Sequence, residues 1–455
     1  MRLLRPDDET MILAERDTAP FHIGALQFYE VPAARAASFA DEVRSRIAER
    51  LLRTPLSCRL VEAPLGFDSR AWLDLGSCDF TYHVERVAIS KAMTAQEVHA
   101  FVERSIMERL DLSRPPFRIH VLDNLHERDR CAVLIKVHHA VGDGIGFQNL
   151  LKVLTDDSPD MPAQPRPTQP DETAPSAPVW LARSAWRFWR RRAIRRGQRL
   201  ERPKIERSLA RLRKDPTQQY TRTPALQLLQ PTSTARTYST LTIELPRFRA
   251  LGKRLDATVN DVFLAICAGA LRRYLLALDR LPETSLITSS VRSYRRPEHG
   301  DYGNRIVALH PHLGTIIAAP VARLRAIQES MGREIARSKL VEQLLDREES
   351  PFGARKRKRM FAKFAATTGR PLPGNVTLSS VPGPAEPRYL SGYRQLSNYP
   401  APILEGGRFL NITMRRNADV LDVGIMMCPQ SSDQDRRLGE YLLLALEELE
   451  SECLS

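Results

Sequence analysis

The sequence predicts a mixed α/β fold in two lobes. Apolar residues follow both strand-like and helix-like spacing in each half of the chain, and a proline-rich stretch separates the halves. A length of 455 residues predicts roughly two or three domains, each large enough to bury a core. No segment repeats at a fixed period, which excludes solenoids and propellers. We expect an N-terminal lobe over residues 1–155, a connector over residues 156–235 and a C-terminal lobe over residues 236–455.

The predicted elements follow from the spacing of the apolar residues. Alternation or a short continuous apolar run predicts a strand, whereas apolar residues three and four apart predict a helix. Strands are predicted at residues 22–31, 131–139, 241–245 and 408–416. Helices are predicted at residues 36–52, 95–110, 260–278 and 434–449. Seven prolines and few large apolar side chains between residues 156 and 179 predict a linker and not a packed element.

The positive charge is concentrated in two segments. The chain has 68 Lys and Arg against 54 Asp and Glu, a formal net charge of +14. Residues 180–215 hold 14 basic and 3 acidic residues, and residues 355–363 hold 6 basic residues and no acidic one. The rest of the chain therefore carries a slight negative charge. Charge concentrated in this way predicts an anionic partner for the two segments.

Several classes of protein are excluded by the sequence. The N-terminus has no apolar run of signal-peptide length, and no window reaches the ~18 consecutive apolar residues that span a bilayer. The six cysteines form no C-x-x-C pair and have no histidine at ligand spacing, which argues against a disulfide framework or a zinc site. The expectation is a soluble intracellular chain that binds no metal.

A pair of histidines marks the candidate catalytic segment. His138 and His139 stand at the end of a predicted strand, and Asp143 and Gly144 open a run of helical character after a short loop. Such a junction holds a reactive side chain on a rigid scaffold. The alternative is that one histidine is a core residue and the other is solvated. Metal binding is disfavoured, because adjacent strand residues point to opposite faces and no further ligands cluster in the sequence.

The segment from His138 to Gly144 matches the HHxxxDG signature of the CoA-dependent acyltransferase superfamily. This superfamily includes chloramphenicol acetyltransferase and the condensation domains of peptide synthetases. The chain resembles the bacterial wax ester synthase/acyl-CoA:diacylglycerol acyltransferase family nearly from end to end. The matching segments are Asp8 and residues 20–30, 59–73, 79–89, 138–144, 258–275, 290–292, 303–304, 379–384, 389–394 and 410–413. The resemblance implies a two-lobed chloramphenicol-acetyltransferase-like fold with the active site in a channel between the lobes.

The resemblance also implies the reaction. It implies transfer of a long-chain fatty acyl group from acyl-CoA to diacylglycerol, to a long-chain fatty alcohol, or to both. Acyl-CoA would be a co-substrate, and no cofactor is expected. Two alternatives stay open: a superfamily enzyme that uses another acceptor or a carrier-protein thioester, and a non-catalytic membrane-binding or lipid-binding protein.

The family's general base is the second histidine of the signature, which implies this role for His139. A histidine suits the role because its ordinary pKa of about 6.5 lies near operating pH. The imidazolium can then protonate the departing CoA thiolate, so the transfer is direct. The opposite direction of His138 on the strand predicts a structural role for that residue. The resemblance implies a structural role for Asp143, whose expected salt bridge has Arg292 as one candidate partner. Gly144 is expected to allow the tight turn into the helix.

Four further residues are candidate substrate contacts. Asn260 and Asp261 begin a predicted helix, and helix capping explains them about as well as substrate contact does. Ser379 and Ser380 carry hydroxyls that can stabilise a tetrahedral oxyanion. The alternative for the two serines is a strand-end turn forced by the Pro-Gly-Pro sequence that follows them.

The chain departs from the family pattern at three places. Pro115-Pro116-Phe117 replaces Pro-Leu-Trp, Ser380 replaces an asparagine, and Arg416-Asn417 replaces a Ser-Tyr pair. The family associates these positions with the substrate channel and with contacts between the lobes. The departures therefore bear on the acceptor and on acyl-chain length, and they leave the reaction class unchanged.

The basic connector begins with an amphipathic pattern over residues 180–196. On a helical wheel most aromatic side chains fall on one arc and the first arginines on the opposite arc. Such a helix suits the surface of an anionic membrane or a lipid droplet. The predicted membrane contacts are Trp180, Trp186, Trp189, Arg183, Arg187 and Arg190. The protein would then be cytoplasmic and bound peripherally to the cytoplasmic membrane.

Two alternatives compete with membrane docking of the connector. The aromatic face can instead pack on the lobes of the protein itself. Nucleic-acid binding is disfavoured, because aromatic residues would then interleave with the bases and no nucleic-acid motif occurs elsewhere. The second basic segment, residues 355–363, is expected to support the same membrane contact or to bind the phosphates of CoA.

Overall fold

The structure, a computed structural model, describes residues 1–162, 170–197, 202–214, 223–224, 234–345, 356, 359, 373–404 and 408–454. Within these residues the fold has two six-stranded sheets, each covered by helices, and a small three-stranded sheet. The predicted mixed α/β class is therefore confirmed.

The elements up to the end of the connector are β1 (Arg2–Leu3), α1 (Pro6–Ala14), β2 (His22–Glu30), α2 (Ala33–Arg50), β3 (Cys58–Val61), β4 (Ala71–Asp74), α3 (Phe80–His83), β5 (Val84–Arg86), α4 (Ala95–Met107), β6 (Phe117–Leu122), β7 (Arg130–His138), α5 (Gly144–Leu154), α6 (Ala177–Gly197) and α7 (Arg202–Lys214). The later elements are β8 (Thr237–Glu244), α8 (Leu245–Arg254), α9 (Val259–Ala277), β9 (Thr288–Ser293), β10 (Ile306–Leu309), α10 (Pro320–Leu345), β11 (Val376–Val381), β12 (Tyr389–Leu390), β13 (Tyr393–Ala401), β14 (Leu410–Asn417), β15 (Val420–Met427), α11 (Ser432–Arg436) and α12 (Leu438–Leu454).

All the strands and helices predicted from apolar spacing are present, with ends that differ by a few residues. The segment predicted as one helix over residues 434–449 is two helices, α11 and α12, with Arg437 between them. Short elements such as β1 and β12 were not predicted, because two residues are too few to show a period.

The first sheet has the strand order β12-β13-β2-β7-β6-β5, and the second has the order β10-β9-β11-β14-β15-β8. Neighbouring strands are antiparallel except for β5 with β6 in the first sheet and β11 with both β9 and β14 in the second. The small sheet, β1-β4-β3, is antiparallel throughout.

Strands β12 and β13 come from the C-terminal part of the chain but belong to the first sheet. β13 pairs with β2, from Gln395 opposite Tyr29 to Ala401 opposite Gly24. A glycine is required at this crowded position, since a Cβ atom on Gly24 would lie 2.9 Å from the carbonyl oxygen of Ile135. The predicted boundary at residue 236 assigned β13 to the other lobe. Apolar spacing shows that a strand forms, but it does not show which sheet the strand joins.

Each lobe has its own apolar core. In the first lobe α2 and α5 pack on one face of the sheet and α4 packs on the other. In the second lobe α9 is buried on nearly all sides among α8, α10 and α12. The core on the α4 face also includes Tyr238 and Met426 of the second lobe. The lobes therefore share apolar contacts, and the two sheets approach so closely that the carbonyl of Pro400 leaves no room for a Cβ atom on Gly424.

Candidate active site

Strand β7 carries the histidine pair to a place where the two lobes meet. Its apolar run is buried in the first sheet and ends at His138. His139–Val141 forms one turn of 3-10 helix, and Asp143 then caps α5. The predicted strand–loop–helix junction is confirmed. Gly142 of this loop forms a bridge with Gly303, which belongs to a loop of the second lobe.

The main chain of His139 is held from two sides. Its N–H donates to the carbonyl of Phe21 at 2.8 Å, and its carbonyl accepts from Nδ2 of Asn304 at 2.9 Å. Nδ1 of its ring is buried and has no hydrogen-bond partner among the described residues. Burial lowers the pKa of His139, while its own carbonyl, the charge of Asp143 and the side chain of Asn304 raise it to a lesser extent. The imidazole is therefore neutral at neutral pH and can accept a proton.

His138 is fully buried beside the turn. Its Nδ1 accepts from the N–H of Ala140 at 3.1 Å, so the proton of the neutral ring is on Nε2. That atom lies 3.8 Å from Oε1 of Glu15. Burial, followed by the charges of His139 and Arg109, lowers the pKa of His138 to about 3. The side chain is thus a neutral packing residue that supports the shape of the turn.

Glu15 links the histidine pair to the N-terminal segment, and the sequence did not single it out. Its Oε1 accepts from the N–H of Phe21 at 3.2 Å, and its Oε2 accepts from Nη2 of Arg109 at 2.8 Å. Because the carbonyl of Phe21 holds the N–H of His139, Glu15 fixes the strand end against which the catalytic turn rests. An isolated glutamate belongs to no motif, so no sequence signal marked it.

Asp143 joins the histidine loop to the second lobe through a buried carboxylate. Oδ1 accepts from the N–H of Gly146, which caps α5, at 2.9 Å. Nη2 of Arg295 lies 3.0 Å from both carboxylate oxygens, and the N–H of Arg305 donates to Oδ2 at 2.9 Å. The carboxylate is 2% exposed, so a charge in this position requires its cation.

The prediction that Arg292 is the salt-bridge partner of Asp143 is wrong. Nε of Arg292 donates to Ser338 at 2.8 Å and its Nη2 donates to Glu342 at 2.7 Å, both on α10. Arg292 lies within β9, and its side chain points away from the histidine loop. Arg295 follows the end of β9, where the chain turns toward that loop, and its guanidinium therefore reaches the carboxylate.

Asn304 and Asp8 support the carbonyl side of the catalytic turn. The N–H and Nδ2 of Asn304 donate to Oδ1 of Asp8 at 3.0 and 2.8 Å, and Nδ2 also binds the carbonyl of His139. Burial raises the pKa of Asp8 to about 6, and the hydrogen bonds from Asn304 oppose this increase. Both residues lie in segments that carried the family resemblance, which was the signal for their importance, but the sequence did not place them beside His139.

Gly144 lies in a close contact with the second sheet and not in a turn that needs glycine. A Cβ atom on it would lie 3.2 and 3.3 Å from the two methyl groups of Val381, at the end of β11. Its backbone is not in the left-handed region, so the expected turn geometry is not its role. The glycine instead lets the start of α5 approach the second sheet.

Ser379 and Ser380 lie inside β11, before the Pro-Gly-Pro turn. Neighbouring strand residues point to opposite faces, so the two hydroxyls cannot serve one oxyanion together. Ser379 is half-buried and Ser380 is exposed. An oxyanion role for one of them stays a prediction.

Asn260 and Asp261 lie in the first turn of α9. Oδ2 of Asp261 accepts from the N–H and the hydroxyl of Thr258 at 2.9 and 2.8 Å, and the Thr258 hydroxyl accepts from the N–H of Asp261 at 3.1 Å. This reciprocal capping box explains Asp261 without a substrate. Substrate contact by the half-buried Asn260 stays a prediction.

Two of the predicted membrane contacts on α6 are wrong. Trp180 is only 2% exposed and packs against Ala63 and Ala71 of the first lobe. Arg187 forms an ion pair with the buried Asp68. The helical wheel could not show these contacts, because it separates aromatic from basic residues but does not say which side faces the protein.

The opposite side of α6 remains open to solvent. Trp186 and Trp189 are 61% and 65% exposed, and the guanidinium of Arg190 lies 4.9 Å from the Trp186 ring centroid. Arg183 is also exposed. The second basic segment, residues 355–363, lies outside the described residues except at two positions.

Solved structures share this two-lobed architecture. The wax ester synthase/diacylglycerol acyltransferase from Marinobacter aquaeolei VT8 aligns with a TM-score of 0.67 and 24% identity over 100% of both chains. The first condensation domain of the calcium-dependent antibiotic synthetase aligns with a TM-score of 0.59 and 16% identity over 99% of this chain and 96% of that one. These likenesses show that the chain has the two-lobed fold of these proteins.

Sequence comparisons identify the family. A model of the wax ester synthase/diacylglycerol acyltransferase catalytic domain matches residues 4–263, and a model of the corresponding C-terminal domain matches residues 302–450. A Mycobacterium tuberculosis protein, provisionally named a diacylglycerol O-acyltransferase, is 31% identical over 98% of this chain and 99% of its own. O-acyltransferase WSD of Acinetobacter baylyi is 27% identical over 97% of this chain and 95% of its own. The chain belongs to the wax ester synthase/diacylglycerol acyltransferase family.

Replacing Arg295 is expected to destabilise the folded chain more than replacing Arg292. Arg295→Met leaves the buried Asp143 carboxylate without its cation, which costs about 3–5 kcal/mol of unfolding free energy. Arg292→Met removes a partly exposed pair with Glu342, worth about 0–1 kcal/mol. Urea unfolding of both variants measures the difference. Equal losses would contradict the role assigned to the Asp143–Arg295 pair.

Proposed function

We propose that this protein transfers a long-chain acyl group from acyl-CoA to diacylglycerol, to a long-chain alcohol, or to both. The observation that carries the proposal is the state of His139, a neutral, half-buried imidazole whose main chain is held at both its N–H and its carbonyl. Membership of the family and the names of the relatives support the same reaction.

The proposed chemistry needs one base. Neutral His139 removes the proton of the acceptor hydroxyl while the hydroxyl oxygen attacks the carbonyl carbon of the thioester. General-base catalysis of this kind raises the rate by about 10²–10⁴-fold. The tetrahedral intermediate then collapses, and the C–S bond breaks. The imidazolium returns its proton to the departing thiolate, which leaves an ester, free CoA and a neutral base. Phe21 and Asn304 keep the base in place through its main chain, so both proton transfers occur at one fixed position.

A different acceptor or a carrier-protein thioester is the second candidate, and the departures from the family pattern favour it. The carbonyl of Pro116 accepts from the N–H of His138 at 2.9 Å, so one departure lies beside the motif. Phe117 is buried and stacks on His83, with ring centroids 4.5 Å apart. Nε of Arg416 donates to the carbonyl of Ala418 in the β14–β15 hairpin. None of these contacts involves the ring of His139, which supports an effect other than on proton transfer.

We further propose that the exposed side of α6 docks on an anionic membrane or lipid-droplet surface, with the protein on the cytoplasmic side. No described helix is long and apolar enough to cross a bilayer. The buried Trp180 and the ion pair of Arg187 fix α6 to the first lobe, so Trp186 and Trp189 project in a defined direction. Exposed tryptophans next to arginines suit the headgroup boundary, where lipid acceptors are dissolved.

His139→Gln is expected to lower ester formation about 10²–10⁴-fold without unfolding the protein. The assay uses radiolabelled palmitoyl-CoA with diolein or with hexadecanol, and the product is separated as neutral lipid. His126→Gln, at an exposed histidine outside the site, is the matched control and should retain full activity. Substantial activity of His139→Gln would contradict the role of His139 as general base. If the wild type forms no product with either acceptor, the proposed reaction is refuted.

The double variant Trp186→Ala/Trp189→Ala is expected to bind vesicles of phosphatidylglycerol at least about tenfold more weakly, because both exposed rings lose their apolar contact with lipid. Co-sedimentation with vesicles measures the binding, and added salt should weaken that of the wild type. Leu276→Ala, at an exposed apolar residue on α9, is the control. Unchanged binding of the double variant would exclude α6 as the docking surface.

A further inference from the structure

A polar cavity of about 300 Å³ lies between α5, the strands β2, β13 and β14, and the segment that follows β11. Gln148 of α5 lines it about one helical turn after Gly144, so the cavity begins about 6 Å along the helix from the histidine loop. Lys152 and Glu386, at its rim, are exposed. The cavity therefore starts one helical turn from the histidine loop and reaches the surface at Lys152 and Glu386.

Three buried side chains on the cavity wall each have one polar atom without a hydrogen-bond partner among the described residues. These atoms are Nε2 of Gln27, Oδ1 of Asn398 and Nε of Arg415. The three residues are 0%, 2% and 3% exposed. Buried polar atoms are nearly always hydrogen-bonded, so two donors and one acceptor that line the same cavity indicate a site for a ligand.

A chain of hydrogen bonds fixes the orientation of the amides. Nδ2 of Asn398 donates to Oε1 of Gln395, and Nε2 of Gln395 donates to the hydroxyl of Tyr29. That hydroxyl donates to Oε1 of Gln27 at 2.8 Å. The chain therefore ends in a donor at Gln27 and an acceptor at Asn398, and neither amide can rotate without breaking it.

Of the two arginines on the cavity wall, Arg388 has an ion pair among the described residues and Arg415 has none. Arg415 donates to Gln148 and experiences the charge of the buried Asp422, while Arg388 pairs with Asp157. Asp422 is held in turn by the N–H of Asn398 at 2.7 Å. The unpartnered groups on the wall are thus one amide N–H, one amide oxygen and one guanidinium N–H, a set that suits a ligand with both carbonyl and hydroxyl or N–H groups.

We propose that this cavity binds a substrate segment that carries carbonyl groups together with a hydroxyl or amide N–H. Its carbonyl oxygens would accept from Gln27 and Arg415, and its hydroxyl or N–H would donate to Asn398. The inference rests on the proposed function, in which two segments have this chemistry. They are the glyceryl group of diacylglycerol and the pantetheine arm of acyl-CoA.

The position of the cavity favours the longer of the two segments. Gln27 lies five residues along β2 from His22, which is the residue opposite His138 in the sheet. This separation is about 17 Å. A glyceryl group whose own hydroxyl reacts at His139 is too short to span it, whereas an extended arm that ends in the thioester passes along the cavity.

Gln27→Met tests the site, because it keeps the length of the side chain and removes the donor. Calorimetric titration uses two soluble probes, pantetheine and 1,2-diacetylglycerol, and does not depend on turnover. One probe is expected to bind the wild type and to bind the variant about tenfold more weakly. The KM for the matching substrate, palmitoyl-CoA or diolein, should rise by a similar factor. The half-buried Gln328→Met on α10 is the matched control and should bind like the wild type.

Tyr29→Phe is the second variant, since it leaves the cavity wall intact and releases both glutamine amides. Tyr29→Phe should weaken the binding of the same probe. It keeps the test valid if Gln27→Met does not fold. If the binding of pantetheine depends on Gln27, the cavity is assigned to the acyl donor. If the binding of 1,2-diacetylglycerol depends on Gln27, the cavity is assigned to the acceptor. Failure of both probes to bind, or equal binding by wild type and both variants, would overturn the inference. A wild type that binds a probe but forms no ester would refute the proposed function separately.

Discussion

The buried carboxylate of Asp143 holds together the parts of the molecule on which the candidate site depends. It caps α5 through Gly146, pairs with Arg295 and accepts from the N–H of Arg305. Arg295 also donates to the carbonyls of Gly300 and Tyr302, so one guanidinium holds the second-lobe loop as well. Removing Arg295 leaves the buried carboxylate of Asp143 without its cation. The shape of the histidine loop and the contact between the lobes therefore have a common cause.

His139 is positioned by its main chain more than by its side chain. Phe21 of the first lobe and Asn304 of the second hold its peptide groups, and the N-terminal residues Glu15 and Asp8 hold these partners in turn. This arrangement leaves the ring free of strong ionic partners, and burial lowers its pKa. A neutral base held in a fixed place suits a reaction in which one group must first accept a proton and then return it.

The sequence predicted the parts of the structure that depend on local pattern. The apolar run of β7, the motif and the start of α5 were all readable, because each depends on residues close together in the chain. Arg295, Glu15 and the pairing of β13 with β2 depend on contacts between distant segments, which local spacing does not specify. The burial of Trp180 has the same origin, since the helical wheel describes α6 alone and not the lobe beneath it.

The pH dependence of kcat/KM for ester formation tests most directly that His139 is a neutral, partly desolvated base. Burial lowers its pKa below the ordinary 6.5, and only the deprotonated ring accepts the hydroxyl proton. The rate should therefore stay constant as the pH falls from about 8 to about 6.5, and then decrease below that value with the binding of one proton. A decrease centred at or above pH 6.5 would contradict the assignment, because the base would then be exposed or stabilised in its charged form.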